Sequence, residues 1–437
     1  MTRSLWAKFV TVLVATGAAA APAAAQSTPP PALEAQSPVP YSVRVPPPPP
    51  PTATPDGLKW SDTGVTLSLA DGNFTIAPAV RLDLDEVSFF DQNRPGGFVS
   101  GTNFRRERLG VKGTFLKQFE YNFIWEFGAR PAQANTLYLL DIVWNPLPWG
   151  SVHVGVFPPL HIPEFAESSY DLMFMERAAI SNIAASVATG DYREAIGVET
   201  RGERWNASLY ATAGLVNTRN SGRQRGVAGR ATYMVWDQPG AQLQVGFDGA
   251  AQFNPGLRNQ PDQISFSDFP ELRGATGLKF LNTGNILTDR AYAIGPEILG
   301  RAGPVYFEAF YQHLGVDVTR DRNRNFDGWY VLAAVPVLGP PREHLVTSAT
   351  WRRPIPDGWI NPAAGNWGAI EVAGRYSTVN LNDAPTQGGR QSIWTFGANW
   401  YLSPALKIVA NFETGSVHLN TGNRDFKGWG LRLALNL

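Results

Sequence analysis

The sequence predicts an all-β fold, a transmembrane antiparallel β-barrel of about 16 strands with an inward-folding constriction loop. Apolar and polar residues alternate with a period of two over long segments, as at residues 106–115, and this length suits a tilted strand that crosses a bilayer. Aromatic residues such as Trp144 and Trp149 cluster at predicted strand ends, as in interfacial girdles. Short and long connections alternate, which is typical of outer-membrane barrels. A soluble β-sandwich or repeat protein would share the period, but not the length of the strands, the aromatic girdles or the alternating connections.

The composition excludes several classes of protein. The chain has 437 residues, of which 43% are hydrophobic, 17% charged and 12% aromatic, and it has no Cys. Disulfides, Cys-ligated metal sites and Cys nucleophiles are therefore excluded. Lys plus Arg and Asp plus Glu each number 37, and this balance argues against a protein that binds nucleic acid through bulk electrostatics. No HExxH or GxSxG motif occurs, so we predict no enzymatic activity, no catalytic residues, no metal site and no cofactor.

Three segments follow one another along the chain. Residues 1–25 have a positive start at Arg3 and Lys8, an apolar stretch and a small-residue cleavage site, which together predict a signal peptide for secretion across the inner membrane. Residues 26–57 are rich in proline and predict an extended periplasmic tether. Residues 58–437 are the predicted barrel, so we expect the protein in the bacterial outer membrane.

The period-two segments give an even number of strands. They are predicted near residues 73–86, 103–115, 119–130, 135–145, 151–158, 192–201, 204–217, 226–237, 240–253, 287–299, 304–316, 326–338, 367–379, 391–402, 405–419 and 424–437. Tight turns, which we assign to the periplasm, are predicted at 116–118, 202–203, 238–239, 301–303 and 403–404. Long connections, which we assign to the outside, are predicted at 87–102, 159–191, 254–286 and 380–390. One long link, residues 339–366, lies on the periplasmic side by parity.

Four motifs, in order, carry a family resemblance. They are residues 103–113 (NFRRERLGVKG), residues 155–177 with the ending FMER, residues 368–377 (GAIEVAGRYS) and residues 397–402 (GANWYL). With these motifs, residues 58–437 closely resemble the phosphate-selective porin O and P family. The resemblance implies a sixteen-stranded trimeric outer-membrane barrel with inward-folding loops and an arginine-lined channel for phosphate or polyphosphate. It also implies that a periplasmic connection enters the lumen, which would account for the long link on that side.

Basic side chains that face the lumen form the candidate anion path. Rows of Arg and Lys in a narrow lumen replace part of an anion's hydration shell, and guanidinium groups suit phosphate oxygens. Alternation turns these basic residues inward: Arg106, Arg108, Lys112, Arg193, Arg201, Arg375 and Arg432. The resemblance implies that the arginine ladder of the family falls at Arg219, Arg223, Arg225 and Arg230.

Acidic residues balance many of these charges. Those that also phase inward on the strands are Asp83, Asp85, Glu126, Asp141, Glu199, Asp248, Glu308, Glu371 and Glu413. The predicted constriction loop sets four acids against one arginine: Glu164, Glu167, Asp171, Glu176 and Arg177. The same loop carries many apolar residues between 172 and 180, which predicts that it folds inward and packs on the barrel wall.

The sequence thus predicts a porin for passive diffusion of small hydrophilic solutes, with a modest preference for anions such as phosphate or polyphosphate. Two alternatives stay open, an unselective or cation-leaning general porin and a structural or adhesive surface barrel. The expected partners are the solutes, outer-membrane lipid, lipopolysaccharide and two further copies in a homotrimer, with no nucleic acid.

Overall fold

A computed structural model describes residues 56–61, 64–128, 135–274 and 278–437. The predicted signal peptide, residues 1–25, lies outside the described residues, as does all but the end of the predicted tether, residues 26–57. None of the described helices is long and apolar enough to cross a membrane.

Most of the described chain is β-strand. In chain order the strands are β1 (Gly57–Ser61), β2 (Gly64–Leu69), β3 (Phe74–Phe90), β4 (Gly101–Phe115), β5 (Phe119–Glu126), β6 (Thr136–Leu147), β7 (Gly150–Val156), β8 (Arg193–Arg201), β9 (Trp205–Leu215), β10 (Arg225–Gln238), β11 (Ala241–Phe253), β12 (Gln263–Ile264), β13 (Ser267–Asp268), β14 (Leu281–Asn282), β15 (Ile286–Ala302), β16 (Val305–Val318), β17 (Arg324–Leu338), β18 (Glu343–Leu345), β19 (Thr350–Arg352), β20 (Ala369–Asp383), β21 (Thr386–Tyr401), β22 (Leu406–His418) and β23 (Arg424–Asn436). The helices are α1 (Pro163–Ala166) and α2 (Ala179–Ala188), and Pro362–Ala364 is a 3-10 turn.

Sixteen of these strands close into an antiparallel barrel. They are β3 to β11, β15 to β17 and β20 to β23, and each pairs with the next barrel strand in sequence. The last strand then pairs with the first, with Leu431 opposite Glu86, so the sheet has no free edge within the barrel. The sixteen-stranded barrel predicted from the sequence is therefore confirmed.

The barrel wall shows why a period of two produces this fold. On β23, Leu431 and Leu433 are exposed on the outer face, whereas the alternate residues Arg432 and Ala434 are buried inside. The apolar face of the strand contacts lipid, and its charged face lines the lumen. The same alternation places Asp83 and Asp85 of β3 inside, where both are fully buried.

We expect a charge on the outer face to destabilise the barrel. Leu431 is 45% exposed in the middle of β23, and Leu431→Arg should cost about 2 to 4 kcal/mol of unfolding free energy if this position lies near the bilayer midplane. Lys112→Ala is the lumen control, because Lys112 is exposed on the inner face of β4. Equilibrium unfolding in lipid vesicles measures both, and equal losses would show that the two faces are not assigned correctly.

One irregularity in β4 changes which residues face inward. The register between β3 and β4 shifts between Asp83 and Leu84, so that Arg105 has no partner opposite it. Such a bulge turns neighbouring side chains to the same side. Both Arg105 and Arg106 are accordingly buried in the lumen, while Phe104 is exposed on the outside.

Three connections fold into the barrel instead of away from it. They join β7 to β8, β11 to β15 and β17 to β20, and they carry α1, α2 and the short strands between them. Helix α2 packs against the inner wall closely enough that a Cβ added at Gly328 of β17 would lie 2.8 Å from Cδ1 of Ile180. The predicted inward constriction loop is therefore confirmed, and the link after β17 also enters the lumen, as the resemblance implied.

The prediction of a long connection at residues 380–390 is wrong. Strands β20 and β21 continue as a ladder to the pair Asp383 and Thr386, so only residues 384–385 join them. The polar side chains of this stretch do not end the strands, because a hairpin that projects beyond the bilayer can be polar on both faces.

Candidate functional site

The constriction loop, residues 157–192, is fixed to the lumen wall by ion pairs with distant strands. Glu164 lies 3.0 Å from Arg375 of β20, and Glu176 lies 2.6 Å from Arg105 of β4. Arg432 of β23 joins the second pair, with its Nη2 3.1 Å from Glu176. Asp171 forms an ion pair with Arg353 of the connection between β17 and β20, with Nη1 2.8 Å from Oδ1. Three of the four predicted loop acids are thus neutralised by arginines.

Backbone carbonyls of the same loop are also satisfied by wall residues. The Lys407 ammonium donates to the carbonyls of Tyr170 and Leu172 at 2.7 and 3.1 Å. The Asn399 amide donates to the carbonyl of Met173 at 2.8 Å. A buried loop would otherwise leave such polar groups unpaired, at a cost of about 1 to 3 kcal/mol each. These contacts hold residues 170–177 along the inner face of β20 to β23.

A cavity of about 220 Å³ remains between this loop and the wall formed by β3 to β6. Its lining comprises Ala79, Val80, Arg81, Arg108, Lys112, Ile124, Tyr138, Leu139, Pro158, Phe165, Glu167, Ser168, Ser169, Arg177, Asn436 and Leu437. Four of these side chains are cationic and one is acidic. We call this space the pore cavity.

Each basic side chain of the pore cavity has a different environment. Arg108 forms an ion pair with Glu126 at 2.5 Å, and its guanidinium lies 3.3 Å from the ring centre of Tyr138. Arg81 shares one carboxylate, that of Asp83, with a second arginine. Arg177 donates to the carbonyl of Glu164 at 2.6 Å and stacks on Phe165.

Two of these cations have no carboxylate partner in the part of the chain that the structure describes. They are Arg177 and Lys112. The acid of the cavity, Glu167, also forms no ion pair among the described residues. The charges that face the open space are therefore mostly positive.

The other predicted path residues lie elsewhere. Arg106 is paired with Asp83 at 2.8 Å, and Arg230 is paired with Glu297 at 2.7 Å. Arg375 is paired with two acids, Glu164 at 3.0 Å and Glu271 at 2.8 Å. Arg193 is buried at the end of α2 and donates to the carbonyls of Thr189 and Ala213. Arg201 is half-buried at the C-terminal end of β8.

The predicted ladder does not form one row. Arg219 and Arg223 are exposed in the connection between β9 and β10, where Arg223 lies 3.2 Å from Asp262. Arg225 is exposed on the same outer face of β10 as Val227, and Arg230 is buried on the inner face. The structure brings Arg108, Lys112, Glu167 and Arg177 together at the pore cavity, and it leaves the three exposed arginines away from it.

Sequence reasoning missed several side chains that line the pore cavity or contact the constriction loop. Arg81 lies two residues before Asp83, which the alternation placed inward, so the same rule could have found it. Tyr138 and Arg105 are turned inward only by bulges, which the alternation cannot foresee. Arg342 and Arg353 belong to the connection after β17, where no strand period exists.

A closed sixteen-stranded barrel with a constriction loop and a residual cavity defines a β-barrel channel. The chain belongs to the phosphate-selective porin O and P family, whose profile matches residues 76–436. It is 22% identical to Porin O of Pseudomonas aeruginosa over 418 residues, which cover 85% of this chain and 90% of that protein. It is 23% identical over 420 residues to an uncharacterised protein of Caulobacter vibrioides, covering 90% of this chain and 80% of that one.

A solved structure shows the same fold. OmpT of Vibrio cholerae, folded in vitro, superposes with a TM-score of 0.53 at 9% identity, covering 85% of this chain and 99% of OmpT. The family and the fold identify this protein as a channel of the bacterial outer membrane and not an enzyme. Among the described residues, no three His, Asp or Glu side chains are arranged to hold a metal ion.

Proposed function

We propose that this channel lets small hydrophilic solutes diffuse across the outer membrane with a preference for anions, phosphate among them. The observation that carries the proposal is the pore cavity, where Arg81, Arg108, Lys112 and Arg177 line the open space with a single acid, Glu167. A narrow passage with low-dielectric walls focuses the field of such charges and raises the local concentration of ions of opposite sign.

Most other lumen arginines contribute little to this field. Arg230, Arg342 and Arg432 are buried, and each lies within 3 Å of a carboxylate. A paired charge of this kind acts on a passing ion as a dipole, whose field falls off faster than that of a single charge. Selectivity should therefore depend on the unpaired cations at the pore cavity and not on the total number of arginines.

Reversal potentials in a planar bilayer under a KCl gradient test the proposal. We expect the sign of the reversal potential to show that chloride is more permeant than potassium. Added phosphate should reduce the chloride current, because the guanidinium groups bind phosphate oxygens with paired hydrogen bonds. A reversal potential of zero, or of cationic sign, would favour the general porin instead.

We expect the anion preference to increase as the pH falls. Burial raises the pKa of Glu167 well above its usual value, although the nearby Arg342 opposes this shift. A raised pKa means that the carboxyl is protonated over a wider range, so acidification through that pKa removes the one negative charge of the pore cavity. The Glu167→Gln variant should lose this part of the pH dependence of the reversal potential. Identical pH profiles for the two proteins would contradict the prediction.

The short strands support the proposed homotrimer. Strand β7 has 7 residues and β5 has 8, fewer than the roughly 9 to 11 that a tilted strand needs to cross a bilayer. Their outer faces, and that of β8, are apolar, with Phe123, Val154 and Ile196 exposed. Neighbouring copies of the chain would cover this part of the barrel, where the strands are short. Native mass spectrometry of the detergent-extracted protein should give three copies, and a monomer alone would contradict the assembly. Binding of lipopolysaccharide by the loops stays a prediction.

A further inference from the structure

The part of the constriction loop that lines the pore cavity is a short arch. Phe165, Glu167, Ser168 and Ser169 all face the cavity. The arch is tied at both ends, by Glu164 on one side and by Asp171 on the other. The position of these two residues therefore sets how far the arch extends into the open space.

The two ends are tied to different parts of the protein. Glu164 is bound by Arg375, which belongs to barrel strand β20. Asp171 is bound by two arginines of the periplasmic connection, residues 339–368. Arg353 donates from Nη1 to the Asp171 carboxylate at 2.8 Å, and Arg342 donates from Nη2 to its backbone carbonyl at 3.0 Å.

The periplasmic connection is itself anchored firmly enough to hold this end. Arg342 makes a bidentate ion pair with Glu371 of β20, at 2.8 and 2.9 Å. Trp351 on the hairpin of β18 and β19 is fully buried, with its ring 5.6 Å from that of Tyr306. The hairpin is thus packed inside the barrel, and Arg342 and Arg353, which flank it and are buried, have little freedom to move.

Arg353 connects three elements at once. Its Nη2 donates to the carbonyl of Pro404, in the turn between β21 and β22, at 2.5 Å. Its guanidinium also lies 4.4 Å from the ring centre of Tyr170. The planar fork of Arg can serve two acceptors and a ring together, whereas a Lys ammonium cannot reproduce this geometry. Arg353 does not line the pore cavity, so any effect on the channel passes through the loop.

We propose that the periplasmic connection positions the constriction loop, and that Arg353 is the positioning residue that fixes the inner end of the arch and thereby the width of the channel. The ion path would then depend on a periplasmic segment that the permeating ion does not touch. This inference needs only the channel itself and is independent of its ion selectivity.

Single-channel recordings of Arg353→Gln test the proposal. The variant removes the charge that pairs with the Asp171 carboxylate and leaves only the backbone contacts from Arg342 and Lys407 at this end. The arch should therefore become more mobile, and both the mean conductance and the open-channel current noise should rise. The heat-modifiable migration of the folded barrel on gels should stay as in the wild type. Arg353→Lys should recover part of the wild-type behaviour, because Lys can reach the carboxylate but not both acceptors.

Two further variants make the test specific. Arg352→Gln is the matched control at the neighbouring position, because among the described residues Arg352 pairs only with Glu343, and these side chains are 38% and 67% exposed. It should leave conductance and noise unchanged. Asp171→Asn should act like Arg353→Gln, and the double variant should show no further change, as for two residues that act through one contact. Wild-type conductance and noise in folded Arg353→Gln, or in Asp171→Asn if the first variant does not fold, would overturn the proposal.

Discussion

Removal of residues 165–179 should raise the single-channel conductance while the barrel stays folded. The segment contributes the arch and the stretch that runs along β20 to β23, so its loss would join the pore cavity to the space that it now fills. The ladder of sixteen strand pairings does not include these residues, and each pairing is formed between neighbouring strands. Conductance in a planar bilayer measures the effect, and heat-modifiable migration shows that the barrel is intact.

The same deletion should also strengthen the preference for anions, because it removes three acids, Glu167, Asp171 and Glu176, and only one cation, Arg177. Arg105, Arg353 and Lys407 would lose their partners on the loop and would face water in a wider lumen. As a control, shortening the exposed turn at residues 320–322 between β16 and β17 should change neither property. An unchanged conductance in a folded deletion variant would mean that the loop does not restrict the path.

Lys112→Glu should shift the reversal potential toward cations. Lys112 lines the pore cavity and has no carboxylate partner among the described residues, so the substitution changes the local charge by two units with little structural cost. A unit charge about 4 Å from an ion in water contributes about 1 kcal/mol, so the two-unit change alters the energy of a passing ion by about 2 kcal/mol, which corresponds to about a thirty-fold change in its local concentration. Bi-ionic or gradient potentials in a planar bilayer measure the resulting permeability ratio.

Lys117→Glu is the matched control for this experiment. It makes the same change in net charge at the periplasmic turn between β4 and β5, away from the residues that line the pore cavity. Its reversal potential should stay close to that of the wild type. Equal shifts for the two variants would show that the total charge, and not the pore cavity, controls selectivity.

The barrel could be predicted from the sequence because a period of two is a local property. Each strand must turn an apolar face to lipid, so Leu431 and Leu433 reveal the phase of β23 without any knowledge of its neighbours. The rule fails where the backbone departs from regular pleating. The bulge at Arg105 turns two consecutive arginines inward, and a strict alternation would have sent one of them into lipid.

The pore cavity could be predicted only in part, because it depends on contacts between distant segments. Arg375 and Glu164 are 211 residues apart in sequence and 3.0 Å apart in the structure. Alternation correctly indicates that Arg375 faces the lumen, but nothing in the sequence shows which acid neutralises it. The residues that stay unpaired, such as Lys112, become evident only after all such pairs are known.

The pairing of β23 with β3 has a consequence for how the protein is made. Ten residue pairs join these strands, among them Asn436 with Arg81, and they lie at opposite ends of the barrel sequence. Closing so long a loop costs entropy, and pairings between distant segments form slowly. Until β23 arrives, the growing sheet has two open edges that can pair with other chains. Biogenesis should therefore be limited by this single seam, and a chain that stops before residue 424 should remain a target for aggregation and periplasmic proteolysis.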